Sequence, residues 1–305
     1  MNRDIALVLS SGGARGIAHI GVIEELEKAG FQITSVAGTS MGSVIGGMYT
    51  LGKLEAYRDW LLNMTKIDVI KFLDLTLGHG GLVKGEKIVQ VMAGFIGDVL
   101  IEELPIPYTA VAVDLTKHKE VWFSEGSLMK AIRASISIPT VFLPVTYNHS
   151  CLVDGGVLNP LPLDAVVRKK GDLLVSVNVN SPSSEGYIQP EAGNAKHESG
   201  YRTARENLNK RWSELVNRGR KTAKPKEMGL FDLVSESINL MQHRLTMYSI
   251  ENHQPDIVIN LPHRIANVFD FYKAEPLIEA GRIACRKALE VYESNVESQK
   301  SEVVK

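Results

Sequence analysis

The sequence predicts an α/β sandwich built on a largely parallel or mixed sheet, in one domain over residues 1–305. Two observations predict it. Short apolar runs closed by glycine or polar turns alternate with stretches of helical periodicity over most of the chain, the pattern of stacked βα units. The composition, 44% hydrophobic and 23% charged, supplies enough apolar side chains for a sizeable core.

Ile5 to Leu9 reads as a buried strand entering the turn Ser10-Ser11-Gly12-Gly13. Ala18, Val22, Ile23 and Leu26 then fall on one helical face, and Gly30 stops that helix before a strand of small residues, Thr34 to Ala37. After Gly38 a second helix runs from Met41 to about Leu51. Further strands are expected at Tyr108–Asp114, Glu120–Ser124, Leu152–Asp154, Leu173–Asn178 and Ile257–Asn260. Residues 5–180 would form the core. Residues 181–228, rich in Pro, Ser, Gly and Asn and then in cations, read as an insertion. Helices at Leu230–Ile250 and Phe271–Tyr292 would pack back on the sheet within a 229–297 C-terminal part.

The 34 Lys and Arg against 35 Asp and Glu give a net charge of -1, which argues against general nucleic-acid binding. That average hides a local excess: residues 196–226 hold 10 basic and three acidic side chains. Tyr201, Leu208, Trp212, Leu215 and Val216 are interleaved there, so this insert is expected to offer a peripheral contact to anionic membrane. Two distant cysteines, Cys151 and Cys285, and the lack of a leader-like or spanning apolar segment point to a cytoplasmic protein. No D-x-D-x-D-G loop is present, so neither calcium nor another metal is expected, and no cofactor is called for.

The sharpest chemical signal is Gly38-Thr39-Ser40-Met41-Gly42, a G-x-S-x-G where an expected strand meets an expected helix. A serine on such a turn has a strained backbone, and the residues two before and two after it must be small; its hydroxyl then stands at a helix N-terminus. The alternative is a chance pentapeptide in which Ser40 merely caps the helix. Ser11-Gly12-Gly13-Ala14-Arg15-Gly16 is a second βα turn, whose amides could cradle an anion. A dinucleotide site fits it poorly, because Ser11 replaces the first glycine and no acid ends the second strand. Consecutive βα loops of a parallel sheet share its carboxyl edge, so the turn and Ser40 would be neighbours, as in an oxyanion hole. For the base, the downstream His149, His197, His243, His253 and His263 are open candidates, none in a glycine-rich loop. Asp154, ending a strand before Gly155-Gly156, is held at a turn that lets backbone approach closely. In an α/β-hydrolase several strands precede the serine. Here the elbow comes near the start of the chain.

The glycine turn, G-x-S-x-G about 25 residues later and a remote Asp-Gly-Gly together resemble the patatin-like phospholipases, the bacterial members most closely. Arg133-Ala134-Ser135-Ile136-Ser137-Ile138-Pro139, Phe142-Leu143-Pro144-Val145 and Asn159-Pro160-Leu161-Pro162 resemble that family's central block, and the likeness covers Ile5 to about Asn180. It implies a three-layer α/β/α sandwich of patatin type, distinct from the standard α/β-hydrolase fold. It also implies a lipid acyl hydrolase of the phospholipase, lipase or esterase kind, acting on a lipid or fatty-acyl ester through an acyl-serine. Ser40 would be the nucleophile and Asp154 the base, with no catalytic histidine. Backbone amides around Gly12, Gly13 and Ala14 would form the oxyanion hole. Arg15, Gly16, Gly38, Gly42, Gly155 and Gly156 would support them. Ser11 departs from the family's usual glycine. Acyl transfer from the same acyl-enzyme, and a non-catalytic regulator on the same fold, remain alternatives. The helix bearing Met41, Val44, Ile45 and Met48 and the Ile136–Leu143 segment are expected to line an acyl pocket.

Overall fold

The computed structural model describes residues 3–72, 86–139, 141–147, 149–182 and 230–303. The strands are β1 (Asp4–Leu9), β2 (Gln32–Thr39), β3 (Tyr108–Asp114), β4 (Lys119–Phe123), β5 (Val145–Tyr147), β6 (Ser150–Asp154), β7 (Leu173–Ser181) and β8 (Ile257–Pro262). The helices are α1 (Ala18–Lys28), α2 (Met41–Thr50), α3 (Leu54–Leu62), α4 (Lys66–Phe72), α5 (Glu86–Ile96), α6 (Leu128–Ser135), α7 (Leu230–His253) and α8 (Ala274–Val303). The strands form one mixed sheet in the order β5-β6-β3-β2-β1-β7-β8, with β4 also on β3. The bonds joining β3, β2, β1, β7 and β8 are parallel, and those of β4, β5 and β6 antiparallel.

β1 shows why the core strands are nearly all apolar. It pairs on both edges and is covered on both faces, so Ile5 to Leu9 are all buried. Its odd-numbered residues, Ile5, Leu7 and Leu9, pack with side chains of α1, α2 and α8. Ala6 and Val8 face the other way, toward Leu161, Leu163, Val166 and Ile250 of α7. The sheet is thus the middle of three layers. The expected strands and α1, α2 and α7 fall close to their expected bounds, whereas α8 runs on to Val303 beyond the expected Tyr292 and α3 to α6 were not anticipated. β5 was not anticipated, being three residues long and half-exposed, without an apolar run to mark it.

One detail of pairing builds the site. β2 takes the first half of one edge of β3, ending with Thr39 opposite Val111. β4 pairs Ala110 to Asp114 and so occupies the other edge. β6 pairs Ala112 to Asp114 and must share the edge used by β2, arriving from the opposite direction and ending with Asp154 opposite Ala112. β2 and β6 therefore meet end to end, and the residues at the junction are Ser40 and Asp154. Residues 183–229, which hold the basic 196–226 stretch and most of the expected insertion, lie outside the described residues.

Candidate active site

Ser40 sits between β2 and α2 with φ 55° and ψ -122°. A non-glycine residue held there costs on the order of 1–3 kcal/mol, which the surroundings must offset. They do so by close packing. A Cβ on Gly42 would lie 2.2 Å from the Leu9 carbonyl oxygen, and one on Gly38 would lie 2.4 Å from the Gly42 carbonyl. The two glycines let β1, β2 and α2 approach closely enough to force the turn. The Ser40 hydroxyl makes no capping bond to α2, which removes the simple capping alternative. Its amide donates instead to Ser135 Oγ at 2.9 Å.

Asp154 is 4% exposed at the end of β6. Its Oδ1 accepts from the Gly156 amide at 2.7 Å, whereas its Oδ2 is buried without a hydrogen-bond partner among the described residues. Burial pushes the carboxyl up to about 6; the nearby Ser40 hydroxyl and the Gly156 amide pull in the other direction. The Ser40 hydroxyl thus favours the carboxylate form of Asp154. Gly155 abuts β3, where a Cβ would lie 2.3 Å from the Val111 carbonyl oxygen. Gln242 of α7 donates to the Gly156 carbonyl at 3.0 Å and holds the turn from the other side.

The glycine turn leads into a short 3₁₀ segment, Gly13–Ile17, with Gly13 at φ 55°. Among the described residues nothing accepts from the amides of Gly12 and Gly13. The Ala14 amide differs from the expectation: it donates to the Val268 carbonyl at 2.9 Å, so it is engaged in holding the turn and is not a free donor. Arg15 is buried, with Nε donating to the Gly12 carbonyl at 3.2 Å and Nη1 to the His263 carbonyl at 3.1 Å. Burial lowers its guanidinium to about 10, with Glu236 of α7 acting the other way. Gly16 packs against Met41, which a Cβ there would approach to 2.5 Å.

Two cavities meet at Ser40. An apolar pocket of about 90 Å³ is lined by Met41, Val44, Ile136, Ile138 and Phe142, as expected, together with Trp60, Met92 and Phe271. Ile45 and Met48, also expected there, are instead fully buried in the main core. A wider cleft of about 1110 Å³ contains Gly12, Gly13, Ser40, Asp154 and the α7 face bearing Glu236, Gln242 and Arg244. Among the described residues no helix is long and apolar enough to cross a membrane, and no three His, Cys, Asp or Glu side chains group as a metal site.

The family description "Patatin-like phospholipase" matches residues 7–167, just over half of the chain, and spans both Ser40 and Asp154. The chain belongs to the patatin-like phospholipase family. Uncharacterised NTE family proteins of Mycobacterium bovis and Mycobacterium tuberculosis are each 33% identical over 95% of this chain and 92% of theirs. The neuropathy target esterase sws of Drosophila melanogaster is 32% identical over 58% of this chain, but this chain covers only 13% of that protein. In this patatin-like phospholipase family member the glycine turn, Ser40 and Asp154 open on one cleft.

In this patatin-like chain four of the five candidate histidines lie among the described residues. His149 and His253 are exposed, and His263 bonds the Ser181 carbonyl at 3.2 Å from the cleft wall. His243 of α7 is half-buried, and His197 lies outside the described residues. No hydrogen bond joins a histidine to Ser40 or Asp154 among the described residues. Sequence reasoning missed the contributions of Ser135, Gln242 and Val268. The first lay in the quoted Arg133–Pro139 block, but nothing in its spacing announced a partner 95 residues away. The other two come from the C-terminal part, which only the fold brings to the edge.

Proposed function

We propose that the protein is a lipid acyl hydrolase in which Ser40 and Asp154 act as a catalytic dyad. The observation that carries this reading is the buried, unpartnered Asp154 Oδ2 beside a serine held on a strained elbow. A buried acceptor without a partner is costly, and a proton from the serine hydroxyl is what it lacks. An ester carbonyl bound across the glycine turn is attacked by Ser40 Oγ while Asp154 takes the hydroxyl proton. The oxyanion accepts from the Gly12 and Gly13 amides, which have no competing partner among the described residues. Collapse of the adduct releases the alcohol, which receives the proton from Asp154. Water, deprotonated by Asp154, then cleaves the acyl-serine to free the fatty acid and regenerate Ser40.

The apolar pocket beside Ser40 suits an acyl chain, and the wider cleft leaves room for the rest of a lipid. Within this reading the basic residues 196–226 meet an anionic membrane from which the substrate is drawn. Burial raises the base toward neutrality, which makes Asp154 a better proton acceptor than an ordinary carboxylate. The test is hydrolysis of a p-nitrophenyl acyl ester: Ser40→Ala and Asp154→Asn each abolish it while circular dichroism stays that of the parent. Activity surviving in either variant contradicts the dyad.

A further inference from the structure

The segment that leaves α6 touches both members of the proposed dyad. Ser135 is fully buried; its Oγ accepts from the Ser40 amide at 2.9 Å and donates to the Val111 carbonyl of β3 at 2.6 Å. Two residues on, the Ser137 carbonyl accepts from the Asp154 amide at 3.0 Å. Val111 is the β3 residue opposite Thr39, where β2 gives way to β6. One short stretch therefore bonds the nucleophile's backbone, the base's backbone and the strand between them.

We infer that Ser135 is a positioning residue for Ser40, its hydroxyl relaying the Ser40 amide to the β3 backbone and so fixing the serine's distance from Asp154. This rests on the dyad reading and adds to it. The elbow needs such an anchor, because a residue at φ 55° relaxes unless its surroundings hold it. The Ser40 amide is thereby occupied and takes no part in oxyanion binding. Alanine at 135 removes the only acceptor bonded to that amide among the described residues and keeps the volume nearly unchanged.

A displaced serine loses its alignment with the base, and misplacement by about 1 Å costs roughly a hundred-fold in rate. The experiment compares Ser135→Ala with Ile132→Val, a change at a fully buried neighbour on α6 that weakens packing without touching the dyad. Each is assayed for kcat, KM and the pH dependence of kcat/KM on a soluble p-nitrophenyl ester, beside a thermal melt. Ser135→Ala should lower kcat about ten- to a hundred-fold with KM within about two-fold. It should also move the acid limb upward, because the Ser40 hydroxyl no longer draws the Asp154 carboxyl down. The other charged groups of the cleft, Arg15, Glu236, Arg244, His263 and Arg264, are unchanged by it. Ser135→Cys, which fills the space with a weaker acceptor, should follow in the same direction and serves if the alanine variant does not fold. Parental kcat with an unmoved limb overturns the inference, as does a loss no greater than that of Ile132→Val at equal melting temperature. Ser40→Ala separates the two layers: activity persisting there removes the dyad itself, whereas activity lost there but intact in Ser135→Ala removes only the positioning role.

Discussion

Replacing Asp154 by asparagine should make the protein inactive and should raise its stability relative to the parent as the pH climbs through about 6. The carboxyl's ordinary value is 3.8, and burial holds it at about 6 in the fold. A folded value above the unfolded one means that the group's stabilising contribution is fully present below about pH 4. It is lost as the pH climbs through about 6, because the unfolded chain ionises first. At 1.36 kcal/mol per unit, the loss totals about 3 kcal/mol, of which about 2 kcal/mol falls between pH 4.5 and 7.5. Asparagine does not titrate and keeps an oxygen for the Gly156 amide. The stability of Asp154→Asn relative to the parent should therefore rise by about 2 kcal/mol over that interval, whatever the constant cost of burying its NH₂. Urea unfolding at pH 4.5, 5.5, 6.5 and 7.5 measures it, the difference being read against pH so that constant offsets cancel. Parallel curves for the two proteins would refute the reasoning, since they would show a carboxyl that titrates alike folded and unfolded.

The same ionisation governs catalysis with the opposite sense: kcat/KM on a soluble ester should rise with pH to a plateau through an apparent value of about 6, with unit slope, and an acid limb near 4 would contradict the burial effect. Gly42→Ala drives a methyl into the Leu9 carbonyl and should cost about 3 kcal/mol or more in urea unfolding along with nearly all activity, whereas parental stability would show that the turn can open. Val44→Phe, at the wall of the apolar pocket, should penalise long acyl esters far more than acetyl esters in kcat/KM; equal losses would place the acyl chain elsewhere. Deleting residues 196–226 should abolish sedimentation with anionic vesicles and leave turnover of a water-soluble ester unchanged, and undiminished sedimentation would exclude that stretch as the contact.

Much of the fold was legible because βα units advertise themselves locally. β1 and its glycine turn, α1, β2 and the elbow follow one another within 42 residues, and each boundary carries a residue that the geometry needs. Gly38 and Gly42 could be read for the same reason, since a strained serine requires small neighbours at fixed offsets. The junction of Ser40 with Asp154 was legible only through resemblance. It depends on β6 meeting β2 end to end along one edge of β3, so that segments more than 110 residues apart are joined only through their shared partner strand, which no local pattern encodes. The free and engaged amides of the glycine turn could not be separated in the sequence either. Ala14 is taken by Val268, a residue from the far end of the chain, while among the described residues nothing accepts from Gly12 and Gly13. Ser135 was hidden for a related reason, because a buried serine at the end of a short amphipathic helix looks like any other small residue there.

The proposed roles of Ser40 as nucleophile and Asp154 as its base are tested most directly by reaction of the native protein with a fluorophosphonate at pH 7.5, the adduct being mapped by peptide mass spectrometry. The structure predicts a single adduct, on Ser40, formed far more slowly in Asp154→Asn. An adduct on another residue, or equal labelling rates in parent and variant, would contradict it.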